Sequence, residues 1–274
     1  MKSLIKIFTA LLILLLSTIY LMGCKETCPE IDKSQPNRNV LIEEFTGVRC
    51  VNCPQGHQLA ASLQESYPEG SVIVVAIHSG ALAGPYPFGT HNFLTTHGSE
   101  IDAQIGPSGF WPSADINRKL FSGETERYLD KAKWPGYVAQ ELTGSDPKVR
   151  IEEEHQFNDT SRLLNLTVKL FYNETVNNNN NLSVMLTESG LIEPQLGQSG
   201  IDTFYVHRHV LRDMMTQSLG DPIDGTKDIN HPLNISLPSF TIPASWNADS
   251  VHIVTFVTDT DSLNVLQVIE NKLK

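Results

Sequence analysis

The stretch Val40 to Pro54, VLIEEFTGVRCVNCP, most constrains what this 274-residue chain can fold into. An apolar strand pattern runs through a glycine turn straight into Cys50-Val51-Asn52-Cys53, so a strand delivers the first cysteine to the start of a helix. Pro54 suits the first helical turn, where a missing N–H leaves no bond unmade. Unpaired N–H groups and the positive dipole end at that place favour a thiolate, and a thiolate attacks disulfides.

A second signal lies at the N-terminus. Lys2 and Lys6 flank a polar start, an apolar run extends from Ile7 to Met22, and Leu21-Met22-Gly23-Cys24 follows. The run is short for a membrane span, and a small residue before a cysteine marks the cleavage site of a lipoprotein signal peptide over residues 1–23. Cys24 is then the lipidated residue; an uncleaved anchor helix is the weaker reading. What remains after cleavage is long enough for two cores of ordinary size. Residues 24–38, polar and proline-containing, read as an extended lipidated tether.

With 31 acidic against 20 basic side chains and a pI near 5.2, the chain is repelled by nucleic acid and by anionic head groups, which sets nucleic-acid binding aside. Four cysteines do not make a disulfide scaffold, because lipid consumes Cys24 and Cys50 pairs naturally with Cys53. Cys28 is left odd, within the tether.

After Cys53, Leu59, Leu63 and Tyr67 recur every four residues and predict a helix that stops before Pro68. The continuous β-branched run Ser71 to His78 predicts a central strand covered on both faces. A long loop from Ser79 to Thr96, a short helix near Ser99 to Ile105, and a strand from Ser113 to Lys119 after Trp111-Pro112 complete the first half. The helix WPGYVAQEL and the turn cluster Gly144-Ser145-Asp146-Pro147 place a boundary between domains at 39–144 and 145–274. Beyond it the period becomes two: Leu164, Leu166, Val168, Leu170 and Tyr172 alternate with other residues, and further strands read at 149–154, 182–187, 251–258 and 264–270. That is an antiparallel β-sandwich pattern, with Asn173 to Asn181 as a solvated hairpin tip.

Other chemistries were weighed against this. The cysteine pair also fits a disulfide that staples the helix start and never turns over. Cys50, Cys53 and His57 have a zinc-like spacing, but no fourth ligand is evident. In YVHRHVLR, Tyr205 to Arg212, His207 and His209 share a face if the segment is a strand; two ligands favour packing over metal. No metal or cofactor site is assigned.

The succession of strand, CxxC helix, strand, helix and X-Pro strand resembles thioredoxin-like domains. That resemblance implies a cis Trp111-Pro112 against the cysteine pair, with Pro112 shaping a peptide groove. It also places Glu44-Phe45 in the register of a buried acid and phenylalanine, so that Glu44 accepts a proton from Cys53 while Cys50 is the attacking thiol. Arg49 before the first cysteine, the dipeptide Val51-Asn52 and the bulky Trp111 depart from the family pattern.

The lipobox, LIEEFTGVRCVNCP, the proline strand ending in Asn117-Arg118, YVHRHVLR and the closing SVHIVTFVTDTDSLNVLQ together resemble the Bacteroidota outer-membrane lipoprotein family named for an outer-membrane protein of twenty-eight kilodaltons. The resemblance covers nearly the whole mature chain. It implies an α/β thioredoxin-like N-terminal domain followed by an all-β, immunoglobulin-like sandwich, held at the outer membrane by a lipid anchor such as palmitate. Lys25 is not the aspartate that retains lipoproteins in the inner membrane. Two functions follow from these readings: thiol–disulfide exchange with exported proteins, or non-catalytic binding of surface ligands with Cys50–Cys53 as a structural disulfide.

Overall fold

The computed structural model describes residues 38–106 and 109–274. The signal peptide, Cys24, Cys28 and the tether through residue 37 lie outside the described residues. In the first half come β1 (Val40–Thr46), α1 (Cys53–Ser66), β2 (Val72–His78), α2 (Thr96–Ile105), β3 (Ser113–Ile116), β4 (Leu129–Asp130) and α3 (Trp134–Leu142). The second half is nearly all strand: β5 (Val149–Asn158), β6 (Leu163–Tyr172), β7 (Asn180–Glu188), β8 (Leu191–Ile192), β9 (Gln195–Gly197), β10 (Gly200–Asp202), β11 (Val206–His207), β12 (Val210–Met214), β13 (Asp221–Pro222), β14 (Leu233–Ser236), β15 (Phe240–Thr241), β16 (Val251–Asp259) and β17 (Val265–Lys272).

Every residue of β1 and β2 is buried, as the continuous apolar run of β2 requires of a strand covered on both faces; β1 buries Glu43 and Glu44 along with its apolar residues. They pair in parallel, and β3 joins β1 antiparallel from the other side. The sheet does not stop there. Its order is β17-β16-β7-β12-β2-β1-β3-β4, with β13 beside β7, so strands from both sides of residue 144 share one sheet. The join is the Val210–Ala76 bridge, where the Ala76 N–H donates to His209 O at 2.8 Å. The described residues accordingly form one compact unit.

Residues opposite one another on neighbouring strands share a face, and this register carries the layering across the join. On one face, α1 and α3 bury Ala60, Leu63, Trp134 and Val138 against Val40, Ile42, Val72 and Val74. Further along the same face, a four-stranded sheet built on β6, with β5 on one side and β14 and β15 on the other, packs Leu166, Val168 and Leu170 onto Leu182, Val184 and Ile253. The alternating burial of β6 is the sequence pattern made physical. On the opposite face α2 lays Ile101 and Ile105 over Val75, Ile77 and Leu211.

Three local expectations are corrected. The strand read from Ser113 to Lys119 ends at Ile116, because Asn117 and Arg118 adopt left-handed φ values of 53° and 51°. The asparagine run is not wholly a solvated tip: Asn180 is buried, accepts from the Tyr172 hydroxyl at 3.0 Å and opens β7. Nor is YVHRHVLR one strand, since His209, with φ 52°, separates β11 from β12.

The turn at Asn117 and Arg118 points both side chains inward. Asn117 Oδ1 accepts the Leu41 N–H at 2.9 Å, and its backbone oxygen accepts from Val265 of β17. Arg118 is wholly buried and grips Glu43 through two bonds of 2.7 Å, with the Phe256 ring 4.9 Å from its guanidinium. Burial alone lowers an arginine pKa, but Glu43 and Asp115 outweigh it and raise that of Arg118. Asp115 is pushed up by burial and by Glu43, and so holds its proton more tightly. Arg118→Met should therefore cost about 3–5 kcal/mol in denaturant unfolding, since it leaves Glu43 buried without its partner. The double change Glu43→Leu, Arg118→Met should recover most of that loss. A single-variant cost under about 1 kcal/mol would show that this pair does not tie the sheet together.

Candidate functional site

The chain leaves β1 at Thr46, turns at Gly47 and enters α1 at Cys53, and Cys50 and Cys53 are joined as a disulfide with Cα atoms 5.4 Å apart. Gly47 is required: a Cβ there would meet the Leu82 backbone at 2.5 Å. Asn52 precedes the helix without a side-chain cap, leaving first-turn donors uncapped by it. Its Oδ1 instead accepts from Gln198 Nε2 at 2.8 Å. Arg49 donates to the Gly84 and Pro85 carbonyls and lies over the Tyr86 ring, pinning the long loop beside the pair.

Beneath the helix, Gly56 fixes the geometry. A Cβ at this position would fall 2.5 Å from Glu44 Oε1 and 2.8 Å from Pro112 Cβ, so α1 rests directly on both, one turn from Cys53. The Trp111-Pro112 bond is cis. Glu44 is buried and its Oε1 has no hydrogen-bond partner; burial raises its pKa well above the ordinary carboxyl value.

Around Glu44 stand three histidines and a tyrosine. His57 Nε2 lies 2.8 Å from Thr46 Oγ1 and 3.8 Å from Glu44 Oε1, while its Nδ1 lies 2.7 Å from the Tyr205 hydroxyl. Burial, with His207 nearby, lowers the His57 pKa to about 3, so the ring is neutral. Burial lowers His207 to about 4 and takes His78 well below its ordinary value. These groups line a cavity of about 240 Å³ between α1, the sheet face and residues 205–209. Both His78 nitrogens and His207 Nδ1 are without hydrogen-bond partners.

The second half also covers the pair. Gln195 Nε2 donates to the Cys50 carbonyl at 3.1 Å and to that of Gly47 at 3.3 Å, and the Leu196 N–H donates to Val48 O at 2.8 Å. Cys50 is 2 % exposed and Cys53 0 %. The fold thus gathers Cys50, Cys53, Glu44 and Pro112 as the sequence suggested. It adds Gln195 and Tyr205; YVHRHVLR contains Tyr205, and nothing in the sequence marks Gln195. The zinc-like set is not formed, because the two cysteines are joined and both His57 nitrogens face Thr46 and Tyr205. Among the described residues no group of three or more ligating side chains is arranged to hold a metal ion.

Residues 99–274 match the family model described as Outer membrane protein Omp28. The chain belongs to the Omp28 family. Membership places it among outer-membrane lipoproteins, and no helix among the described residues is long and apolar enough to cross a bilayer. No curated protein matches the chain. Among solved structures it is similar to HBP35 of Porphyromonas gingivalis, at 14% identity and TM-score 0.66, over 88% of this chain and 76% of that one. It is also similar to a structural-genomics protein of Agrobacterium tumefaciens, at 13% identity and TM-score 0.54, over 88% and 97%. A domain of the outer-membrane lipoprotein Omp28 from Porphyromonas gingivalis matches at 20% identity and TM-score 0.33, over 47% and 89%. The first two likenesses bear on the fold alone.

The raised pKa of Glu44 makes a pH prediction. Between the unfolded carboxyl value, about 4.3, and the higher folded one, the native state holds a proton that the unfolded chain releases, so stability falls as pH rises through that window. Glu44→Gln removes this dependence. Thermal melts of the two proteins should nearly coincide at about pH 4, and the variant should gain on the wild type as pH rises to about 8. Parallel pH profiles would contradict a proton held by Glu44.

Proposed function

We propose that this chain is an outer-membrane-anchored lipoprotein whose Cys50–Cys53 pair exchanges disulfides with exported proteins. Glu44 carries the reading. A buried carboxyl with one oxygen left without a hydrogen bond costs stability, yet it sits under the helix that Cys53 opens. A staple needs no such group. In this reading residues 39–144 are a thioredoxin-like unit and residues 145–274 an immunoglobulin-like sandwich fused to it through β12. Cys24 carries the lipid after residues 1–23 are removed, and residues 24–38 form the tether.

The roles follow from position. In this reading Cys50, in the turn just before α1, attacks; Cys53, the first residue of α1, resolves; Glu44 moves the proton between the buried sulfur and the interior; Pro112 borders the groove that receives a partner strand. Because Gln195 and its neighbours cover the pair, access requires residues 195–202 to lift. Their ties to the turn are a few hydrogen bonds, each worth only about 1 kcal/mol net.

A second reading, a non-catalytic binding lipoprotein with a structural disulfide, draws on that same burial and on Ile192, Ile201, Phe204 and Val206, which are exposed near the cover. Cys53→Ala separates the two. It leaves Cys50 able to attack a partner disulfide, releasing one partner thiolate, but removes the thiol that would break the mixed disulfide. Reducible complexes with exported proteins should accumulate in cells and vanish when Cys50 is also changed. A variant that captures nothing favours the binding module.

A further inference from the structure

Resting on the exchange reading, we infer that His57 and Tyr205 form the proton path between buried Glu44 and solvent, so that the second half of the chain completes the exchange site of the first. Glu44 is cut off from water by α1 above and the sheet below, so a proton it gives or takes must travel through the cavity. Among the described residues, His57 and Tyr205 lead from its neighbourhood toward the surface. His57 Nε2 stands 3.8 Å from Glu44 Oε1, a gap that a small ring rotation or one water spans, and Nδ1 is 2.7 Å from the half-buried Tyr205 hydroxyl.

The protonation states suit a relay. A neutral imidazole has one donor and one acceptor nitrogen, and burial keeps His57 neutral. Burial also lifts the Tyr205 hydroxyl to about 12, so it keeps its proton and remains both donor and acceptor. The other titratable groups facing the cavity are His78 from β2, and His207, Arg208 and His209 from the segment after Tyr205. His78 has no side-chain partner leading outward, and His207 Nε2 faces the Glu193 carbonyl at 3.3 Å. Neither offers a second exit.

The step balances with a dithiol on the exported partner as reductant. The partner thiolate attacks Cys50 Sγ, a partner–Cys50 disulfide forms, the Cys50–Cys53 bond breaks, and Cys53 leaves with the electron pair and takes the Glu44 proton. Solvent restores that proton through Tyr205 and His57. The partner's second thiolate then attacks its own half of the mixed disulfide and frees Cys50. Two electrons pass from the partner dithiol to the pair, and the partner ends as a disulfide.

His57 and Tyr205 are positioning residues, and their loss should slow the reaction without changing its equilibrium. The test is stopped-flow reduction of the oxidised full chain by dithiothreitol from about pH 5 to 9, alongside the reduction potential and the melting temperature. Tyr205→Phe, which keeps the ring, should slow reduction at least about fivefold near neutral pH, with potential and melting temperature unchanged. His57→Ala should slow it by at least as much, and added imidazole should restore part of the rate. Variants that track the wild type at every pH, or slow only in step with a shifted potential or lost stability, overturn the path while leaving the exchange reading intact. A wild-type pair that dithiothreitol does not reduce at all overturns the exchange reading and the path with it.

Discussion

Two adjacent carboxylates on the most buried strand organise this molecule. Successive residues of a strand face opposite sides of its sheet, so Glu43 and Glu44, both enclosed, meet different fates. Glu43 faces the α2 side, where Arg118 holds it in a bidentate pair and Phe256 from the far half of the sheet covers the guanidinium. Glu44 faces α1, where burial raises its pKa well above the ordinary carboxyl value. One acid is paired inside the sheet, beneath a ring from the far half; the other holds its proton more tightly beneath the helix that Cys53 begins. The left-handed turn at Asn117 and Arg118 is what allows the first, and Gly56 allows the close approach that makes the second.

Much of this was legible because it is local. The apolar start of β1, the unbroken apolar run of β2, the four-residue spacing along α1, the alternation of β6 and the placement of Pro112 all follow from neighbours in sequence. What escaped is long-range. The chain carries β12 to the edge of β2 by a single bridge, and no property of Val210 to Met214 announces where that strand will dock. Gln195 reaches the Cys50 carbonyl across 145 residues of sequence, and Tyr205 reaches His57 across 148. Arg118 looked like the last residues of a strand because its partner, Glu43, lies 75 residues away. Asn180 resembled a loop residue for a different reason: its polar side chain sits in an asparagine run, yet it is satisfied inside the sheet by nearby Tyr172.

The segment that shows the Omp28 family, residues 99–274, contains neither cysteine of the pair but contains Gln195, which covers it, and Pro112, Tyr205 and His207 near its acid. The β-rich half is therefore part of the site rather than a spacer. Gln195 shields the disulfide, Tyr205 engages His57, and His207 helps keep His57 neutral.

The central claim is that this pair turns over, and its reduction potential tests that most directly. Equilibrating the purified protein against defined dithiol and disulfide buffers should give a value within the range of exchanging enzymes, roughly −270 to −120 mV. A value below about −300 mV would mark Cys50–Cys53 as a structural disulfide and contradict the account.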